Sequence, residues 1–293
     1  METDTKHTII TVVAVIAVIA VVFMGLSIGS GSTLPQTTVV ESESMQHSVG
    51  SQIGIIDTAD MIILKNKDKS PIETYVDGYN NNYQTFGSYG NVIVYSRGAD
   101  QNPIIHRAIL WLDYNAADNT WSAPSLKNYP SDLWSATSGT DYTKLSGTLT
   151  LKGLVYAGGT LDVSIILTGD PSSLASLYPH SGYLTKGDNN KVFDQPRNIS
   201  GVTGLVTAED VKSVAWLEVP WVGVFRMWLN HNMDVVDREV PNTVPSLIAA
   251  ILLIIFLLVG ISFLFDQRYY KKYRKQLNEE KNAPSPPITV EKK

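Results

Sequence analysis

Residues 144–167 read KLSGTLTLKGLVYAGGTLDVSIIL, and this stretch predicts a β-hairpin. From Leu161 to Leu167 apolar side chains recur with a period of two, which is typical of a strand with one buried face. The Gly158-Gly159 pair supplies a turn between this strand and the β-rich run before it. The centre of the chain is therefore expected to be β structure.

The same signature continues on both sides of the hairpin, where turn-forming clusters separate further β-rich runs. These predicted strands are Thr37–Val40, Met61–Lys65, Asn91–Tyr95, Ile104–Leu112, Lys144–Tyr156, Thr160–Leu167 and Val214–Val219. No segment between residues 30 and 240 keeps a 3.6-residue apolar period over three turns. We therefore predict a mainly β domain over residues 30–240, with few or no helices.

Two long apolar stretches flank this domain, at residues 9–29 and 244–265. Each can cross a bilayer, because about 20 helical residues span the roughly 30 Å hydrocarbon core. We predict two transmembrane helices. A cleaved signal peptide is the alternative for the first stretch, since small residues follow it, but its apolar run exceeds the usual ~7–15 residues.

A cluster of basic residues directly follows the second stretch: Arg268, Lys271, Lys272, Arg274 and Lys275. Basic residues beside a span favour its cytoplasmic end. Residues 266–293 are thus predicted to be a basic cytoplasmic tail, and residues 1–8 a short cytoplasmic N-terminus. The β domain then lies outside the cell membrane of a two-pass protein.

The composition excludes several classes of function. The formal net charge is −5, so no basic surface predicts a nucleic-acid partner. The chain has no cysteine, which excludes disulfides, thiolate metal sites and a cysteine nucleophile. No close-spaced ligand pair of the His-x-x-x-His kind occurs, and we predict neither a metal site nor a cofactor.

Three separated segments carry residues suited to acyl transfer. Ser44 lies in VESESM, His106 lies in PIIHR, and two aspartates, Asp188 and Asp194, lie in TKGDNNKVFD. A serine hydroxyl is a weak nucleophile until a neighbouring base takes its proton, and a histidine imidazole does this near neutral pH. Each segment is unremarkable alone. Together they offer a nucleophile, a base and a carboxylate.

In this order, Ser-x-Ser-Met, Ile-Ile-His-Arg, Thr-Lys-Gly-Asp-Asn-Asn and a following aspartate, the segments resemble the signal peptidase I family. A histidine at 106, where the bacterial enzymes have lysine, is similar to the archaeal and endoplasmic-reticulum branch. The resemblance covers the first apolar stretch and residues 36–64, 90–110, 181–196 and 211–229. Within the predicted domain it is therefore confined to four separate segments, which together make up less than half of residues 30–240.

The resemblance implies a signal-peptidase-like β fold and a membrane-bound serine endopeptidase that removes signal peptides from secreted and membrane precursors. It makes Ser44 the nucleophile, His106 the general base and Ser42 a hydroxyl donor of the oxyanion hole. It offers Asp194 first and Asp188 second as the carboxylate that completes the site, and this choice stays open. The implied partners are secretory signal peptides, the lipid bilayer and the protein-export translocon.

The chain also departs from the family pattern. Gln46-His47 follows Met45 where the family usually has Glu-Pro or Met-Pro, which predicts a less fixed backbone after the nucleophile and makes His47 an alternative base. Phe193 stands where the archaeal and endoplasmic-reticulum branch commonly has the first of two adjacent aspartates. Residues 66–89 and about 114–180 exceed the family core, and we interpret them as a loop insertion and an added β element.

The sequence also fits other interpretations. A non-catalytic membrane-anchored surface β-domain protein, such as an adhesin or envelope scaffold, fits the added element, and so does a degenerate family member that binds leaders without cutting. Asp60 is expected to have a structural role. Trp216, Trp221 and Trp228 are expected either in the core or at the membrane interface, and Asn198 begins a glycosylation sequon.

Overall fold

The computed structural model describes residues 2–96, 101–167, 179–195 and 204–281, and the Asn198 sequon lies outside them. Twelve strands occur in this part of the chain. They are β1 (Gln36–Val39), β2 (Met61–Asn66), β3 (Gln84–Thr85), β4 (Ser88–Tyr89), β5 (Val92–Tyr95), β6 (Ile104–Asn115), β7 (Thr120–Ser122), β8 (Trp134–Ala136), β9 (Gly147–Tyr156), β10 (Gly159–Leu167), β11 (Gly182–Lys186) and β12 (Val211–Val219). The prediction of a mainly β domain is confirmed.

The largest sheet has the order β1-β2-β12-β5-β6-β11, with β7 paired to β6. Its strands pair antiparallel. The central strands are buried on both faces: every residue of β5 is buried, as are most residues of β6. This order places the consecutive strands β5 and β6 side by side with β11, which is far from them in sequence.

The segments interpreted as additions form smaller sheets. Within 114–180, β8, β9 and β10 form a three-stranded antiparallel sheet, in which β9 and β10 are the hairpin expected from residues 144–167. Within 66–89, β3 and β4 form a two-stranded hairpin. Buried side chains of β9 and β10, such as Leu149 and Ile165, share one apolar cluster with Leu110 of β6. The added sheet is therefore packed into the core.

In keeping with the expectation of few or no helices, the described part of the β domain holds three short α-helices: α2 (Tyr75–Asn81), α3 (Val224–Leu229) and α4 (Met233–Glu239). Each has at most two turns, too few to show a 3.6-residue period over three turns. A capping box starts α2, since the Thr74 hydroxyl accepts the Asp77 N–H while the Asp77 carboxylate accepts the Thr74 N–H.

In the described part of the chain two helices are long and apolar enough to cross a membrane: α1 (Glu2–Ser30) over Val13–Ser30 and α5 (Thr243–Lys281) over Thr243–Leu264. The chain forms two compact units, Met1–Val244 and Pro245–Lys293. The second helix continues beyond residue 265, the predicted end of the span, into the basic segment. Lysine, arginine, glutamine and glutamate there are good helix formers.

The aromatic residues near the end of the domain divide between interior and surface. Trp221 and Trp216 are half-buried; Trp221 donates its indole N–H to Ser51 Oγ at 2.9 Å. By contrast, Trp228 and Phe225 of α3 are exposed, at 64% and 57%. Trp216 and Trp221 are therefore partly in the interior of the domain, whereas Trp228 and Phe225 lie on its surface.

Glu218 on β12 gives the domain a pH-dependent stability. Burial raises its pKa to about 7, the Gly54 N–H opposes this, and the Asp57 carboxylate adds to it. The folded protein consequently binds more protons than the unfolded chain between about pH 4.5 and 7, and its stability falls as pH rises through this window.

We expect Glu218→Gln to raise the Tm by about 2–4 °C at pH 8, after allowance for solvent screening at this half-buried site. The gain should be smaller at pH 5, because the wild-type carboxyl is then protonated in the folded protein. Thermal unfolding in detergent at both pH values measures it, and exposed Glu209→Gln is the matched control. An equal gain at both pH values would contradict this account.

Candidate active site

Ser44 lies in a tight turn that is separated by three residues from the end of the edge strand β1. Residues Glu43–Met45 form a single turn of 3₁₀-helix. Met45 is 1% exposed and packs in an apolar cluster with Val40 and Ile62, whereas Ser44 remains partly exposed. Burial of the methionine thus fixes the turn and leaves the preceding serine hydroxyl accessible.

Ser44, His106 and Asp194 form a continuous hydrogen-bonded chain. Ser44 Oγ lies 3.0 Å from His106 Nε2, and His106 Nδ1 lies 2.8 Å from Asp194 Oδ2. An ionised carboxylate only accepts hydrogen bonds, so Nδ1 carries the ring proton and Nε2 is left to accept the serine proton. This is the arrangement that general-base activation of a serine requires.

The Asp194 carboxylate is buried among donors. Its Oδ2 accepts the Tyr95 hydroxyl at 2.8 Å and the Thr185 hydroxyl at 2.7 Å, in addition to His106. Burial alone would raise the pKa of Asp194, but the electrostatic interaction and hydrogen bond with His106, and the hydrogen bonds from the Thr185 and Tyr95 hydroxyls, outweigh it and lower the pKa. The carboxylate therefore stays charged opposite His106.

Asp188 occupies a different position. Its two oxygens accept Arg107 Nε at 2.8 Å and Nη2 at 2.6 Å, and Oδ2 also lies 3.0 Å from His47 Nε2. Burial acts to raise the pKa of Asp188, but the Arg107 guanidinium outweighs it and lowers the pKa to about 2. Of the two candidate carboxylates, Asp194 is the one that contacts His106, and Asp188 pairs with Arg107.

The loop after β11 holds the serine turn from the other side. The Asn189 N–H donates to Ser44 O at 2.8 Å, and its side-chain amide donates to Glu43 O at 3.1 Å. At Gly187 an added Cβ would lie 2.5 Å from Ser44 O and 2.9 Å from His106 Nε2. Only glycine fits between the serine turn and the imidazole.

A groove of about 460 Å³ opens onto the serine. It runs between residues 38–42 and residues 102–106. Ser42 lines it, with its Oγ 3.2 Å from Ser44 Oγ. A hydroxyl at this distance is placed to donate to an oxygen that develops negative charge beside Ser44. The Glu41–Arg226 ion pair, 3.2 Å and solvent-exposed, lies on the groove wall.

The side chains that depart from the family pattern all have defined contacts. The amide of Gln46 is buried and hydrogen-bonded, so the expected loosening of the backbone after Ser44 is offset by this side chain. His47 contacts Asp188, and it is His106 that contacts Ser44. Phe193 is 1% exposed in the apolar core.

Asp60 is fully buried, and its carboxylate accepts hydrogen bonds from the backbone of two separate segments. Its Oδ2 accepts the Asp57 N–H at 2.8 Å, and its Oδ1 accepts the Trp221 N–H at 2.9 Å. These bonds join the loop after the serine turn to the end of β12, in keeping with the expected structural role.

Lys186 is buried beside the site and was not anticipated. Its Nζ donates to Val155 O at 2.7 Å and Gly187 O at 2.8 Å. Burial lowers the pKa of Lys186 to about 8, although the Asp188 and Asp194 carboxylates act to raise it. Since Val155 belongs to β9, this lysine links the added sheet to the loop that contacts Ser44.

Sequence reasoning also missed Tyr95, Thr185 and Arg107. Tyr95 could have been found from the strand pattern. Ile93 lies directly opposite His106 on the neighbouring strand. Because strand residues two apart share a face, Tyr95 lies on the same face of the sheet as His106. For Arg107, adjacency to His106 on a strand already places it on the opposite face. Thr185 lay in a strand that its polar sequence did not predict.

Comparison of the chain with models of protein families, with curated proteins and with solved structures gives no match.

Proposed function

We propose that this protein is a serine endopeptidase of the signal peptidase I type, with Ser44 as nucleophile and His106 as general base and then general acid. The observation that carries the proposal is the hydrogen-bonded chain from Ser44 through His106 to Asp194. Its three members come from three distant segments, and these are the segments on which the family resemblance rests.

In the proposed reaction Ser44 Oγ attacks the scissile carbonyl while its proton passes to His106 Nε2. The resulting oxyanion is stabilised by the Ser42 hydroxyl together with the backbone N–H of Ser44, and a donor of this kind contributes roughly 10²–10³ in kcat. His106 then protonates the leaving amine, and water repeats the sequence on the acyl-enzyme. Asp194 keeps the imidazole in the tautomer that accepts the serine proton.

The shape of the groove supports an extended peptide as substrate. The groove lies between residues 38–42, beside the edge strand β1, and residues 102–106. An extended peptide adds to an exposed sheet edge through main-chain hydrogen bonds, with pockets for alternate side chains. Secretory leader peptides with small residues before the cut are the substrates that the resemblance implies.

The two apolar helices support a membrane location for this chemistry. We propose that α1 and α5 anchor the protein in the cell membrane, with both termini cytoplasmic and the β domain outside. The basic residues after the second span are the basis for this orientation. Thirteen residues, 31–43, separate the end of α1 at Ser30 from Ser44, and this short connection keeps the site near the bilayer, where leaders emerge and the export translocon lies.

Incubation of the purified full-length protein in detergent with a secretory precursor tests the proposal. We expect a single cut after a small residue at the end of the leader, mapped by mass spectrometry of both products. Ser44→Ala protein, purified in the same way, should leave the precursor intact. Cleavage by this variant at the wild-type rate would refute Ser44 as nucleophile, and no cleavage by the wild type would favour a non-catalytic surface protein.

A further inference from the structure

Gln46, two residues after Ser44, has a buried side chain that joins the serine turn to the end of the β domain. It is 3% exposed. Its Nε2 donates to Ser48 O and to Glu239 O, both at 3.2 Å. Glu239 is the last residue of α4, and it stands four positions before the start of the second apolar helix at Thr243. One amide group thus bridges 193 positions of sequence.

A second side chain completes the bridge. The hydroxyl of Thr58, a fully buried residue, lies 2.8 Å from Gln46 Oε1 and 2.8 Å from Glu239 Oε2. The single Thr58 proton is shared between these two acceptor oxygens, so the hydroxyl holds Gln46 Oε1 beside Glu239 Oε2 while Gln46 Nε2 binds the two backbone carbonyls. A buried amide whose partners are lost pays a desolvation penalty of about 1–3 kcal/mol, so this orientation is strongly favoured.

Three further hydrogen bonds attach residues 239–242 to the loop that follows the serine turn. Asn242 accepts the Ser51 N–H at 2.7 Å and donates its amide to Ser51 O at 2.9 Å. The Gly50 N–H donates to Glu239 O at 3.3 Å. The short segment before the second apolar helix is thus an integral part of the structure around the serine.

We propose that Gln46 is a positioning residue for Ser44, and that residues 239–242 supply the fixed frame against which it holds the serine turn. The proposal rests on the proposed peptidase function. In this view the C-terminal anchor does more than tether the enzyme: the residues leading into it determine where the nucleophile stands. The carboxyl-terminal part of the domain is consequently coupled to the rate of the chemical step.

The expected effect follows from the geometry of attack. The 3.0 Å contact between Ser44 Oγ and His106 Nε2 must be kept while the scissile carbonyl approaches. A displacement of about 1 Å in a reacting group can cost around a hundredfold in rate. Gln46 does not line the groove, so loss of its hydrogen bonds should lower kcat and leave KM almost unchanged.

The test compares two glutamine substitutions in the same loop, in the full-length protein in detergent. Gln46→Met keeps the side-chain length and removes the side-chain hydrogen bonds. Gln52→Met makes the same exchange of glutamine for methionine at an exposed position and serves as the matched control. With a precursor peptide as substrate, we expect kcat of Gln46→Met to fall about 10–100-fold, with KM within about twofold. Gln52→Met should match the wild type in both constants.

Asn242→Ala is a second test, because the Asn242 side chain hydrogen-bonds to Ser51 and not to Gln46 or the serine turn. We expect it to lower kcat in the same direction by a smaller factor. The double variant with Gln46→Met should lose less than the product of the two separate factors, because both act through the position of residues 239–242.

Several results would overturn the proposal. Wild-type kcat in Gln46→Met would do so, as would a loss confined to KM or to the fraction of folded protein. If Gln46→Met does not fold, an unchanged kcat in Asn242→Ala has the same consequence. The peptidase function fails separately, if wild-type and Ser44→Ala proteins cleave equally or if neither cleaves.

Discussion

Replacement of Asp194 by asparagine is expected to lower kcat about 10⁴-fold while leaving the fold intact. The carboxylate accepts the His106 Nδ1–H at 2.8 Å and so keeps Nε2 free to take the serine proton. An asparagine amide can present its own N–H to Nδ1, which favours the opposite tautomer with the proton on Nε2. Ser44 then has a donor beside it where it needs an acceptor.

The same substitution at the other aspartate provides the contrast. Asp188 contacts Arg107 and His47 and lies outside the hydrogen-bonded chain. Asp188→Asn should therefore lower stability, while folded molecules keep most of their kcat. Single-turnover cleavage and thermal unfolding of both variants separate the two effects. Equal kcat losses in the two variants would show that Asp194 has no special relation to His106.

A double variant gives a further check. Once the nucleophile is absent, the tautomer of His106 no longer matters, and residues that act as a unit are not additive. Ser44→Ala combined with Asp194→Asn should be no less active than Ser44→Ala alone. A further loss in the double variant would mean that Asp194 acts by a route that does not pass through the serine.

The predictable part of the structure follows from local patterns. The β-rich runs between turn-forming clusters predicted seven of the twelve strands, and the apolar runs predicted the two long helices, because each signal depends on residues close together in the chain. The residue types at 44, 106 and 194 also suggested chemistry. Their meeting could not be derived from spacing, since 62 and 88 positions separate the hydrogen-bonded partners.

What escaped prediction depends on contacts between distant segments. The strands β5 and β6 are consecutive, but β11 is distant in sequence, and its pairing with β6 brings Thr185 to Tyr95, His106 and Asp194. No local pattern encodes that pairing. The choice between the two aspartates was open for the same reason. Arg107 lies on the face of β6 opposite to His106, and its guanidinium binds Asp188. Asp188 therefore does not contact the His106 imidazole.

Substitution of Arg107 by methionine is expected to produce the largest loss of stability among these variants, about 3–5 kcal/mol. Arg107 is fully buried, and its guanidinium makes two bonds to Asp188 and others to backbone carbonyls, including those of Thr85 and Gly90. Methionine fills similar space but leaves a buried carboxylate without its main counter-charge. The Tm should fall by roughly 2–4 °C for each kcal/mol lost.

Arg226→Met is the matched control, because it removes an arginine that is also ion-paired but lies on the surface. Its guanidinium is 3.2 Å from Glu41, and its side chain is 59% exposed. An exposed pair contributes about 0–1 kcal/mol, so its Tm should change little. In the Arg107→Met background, Asp188→Leu should recover part of the lost stability, since removal of both buried charges is less costly than removal of one. We interpret the Arg107–Asp188 pair as the buried support of the loop that carries Gly187 and Asn189. Equal losses of stability in the two arginine variants would contradict this interpretation, and so would a further loss of stability in the double variant.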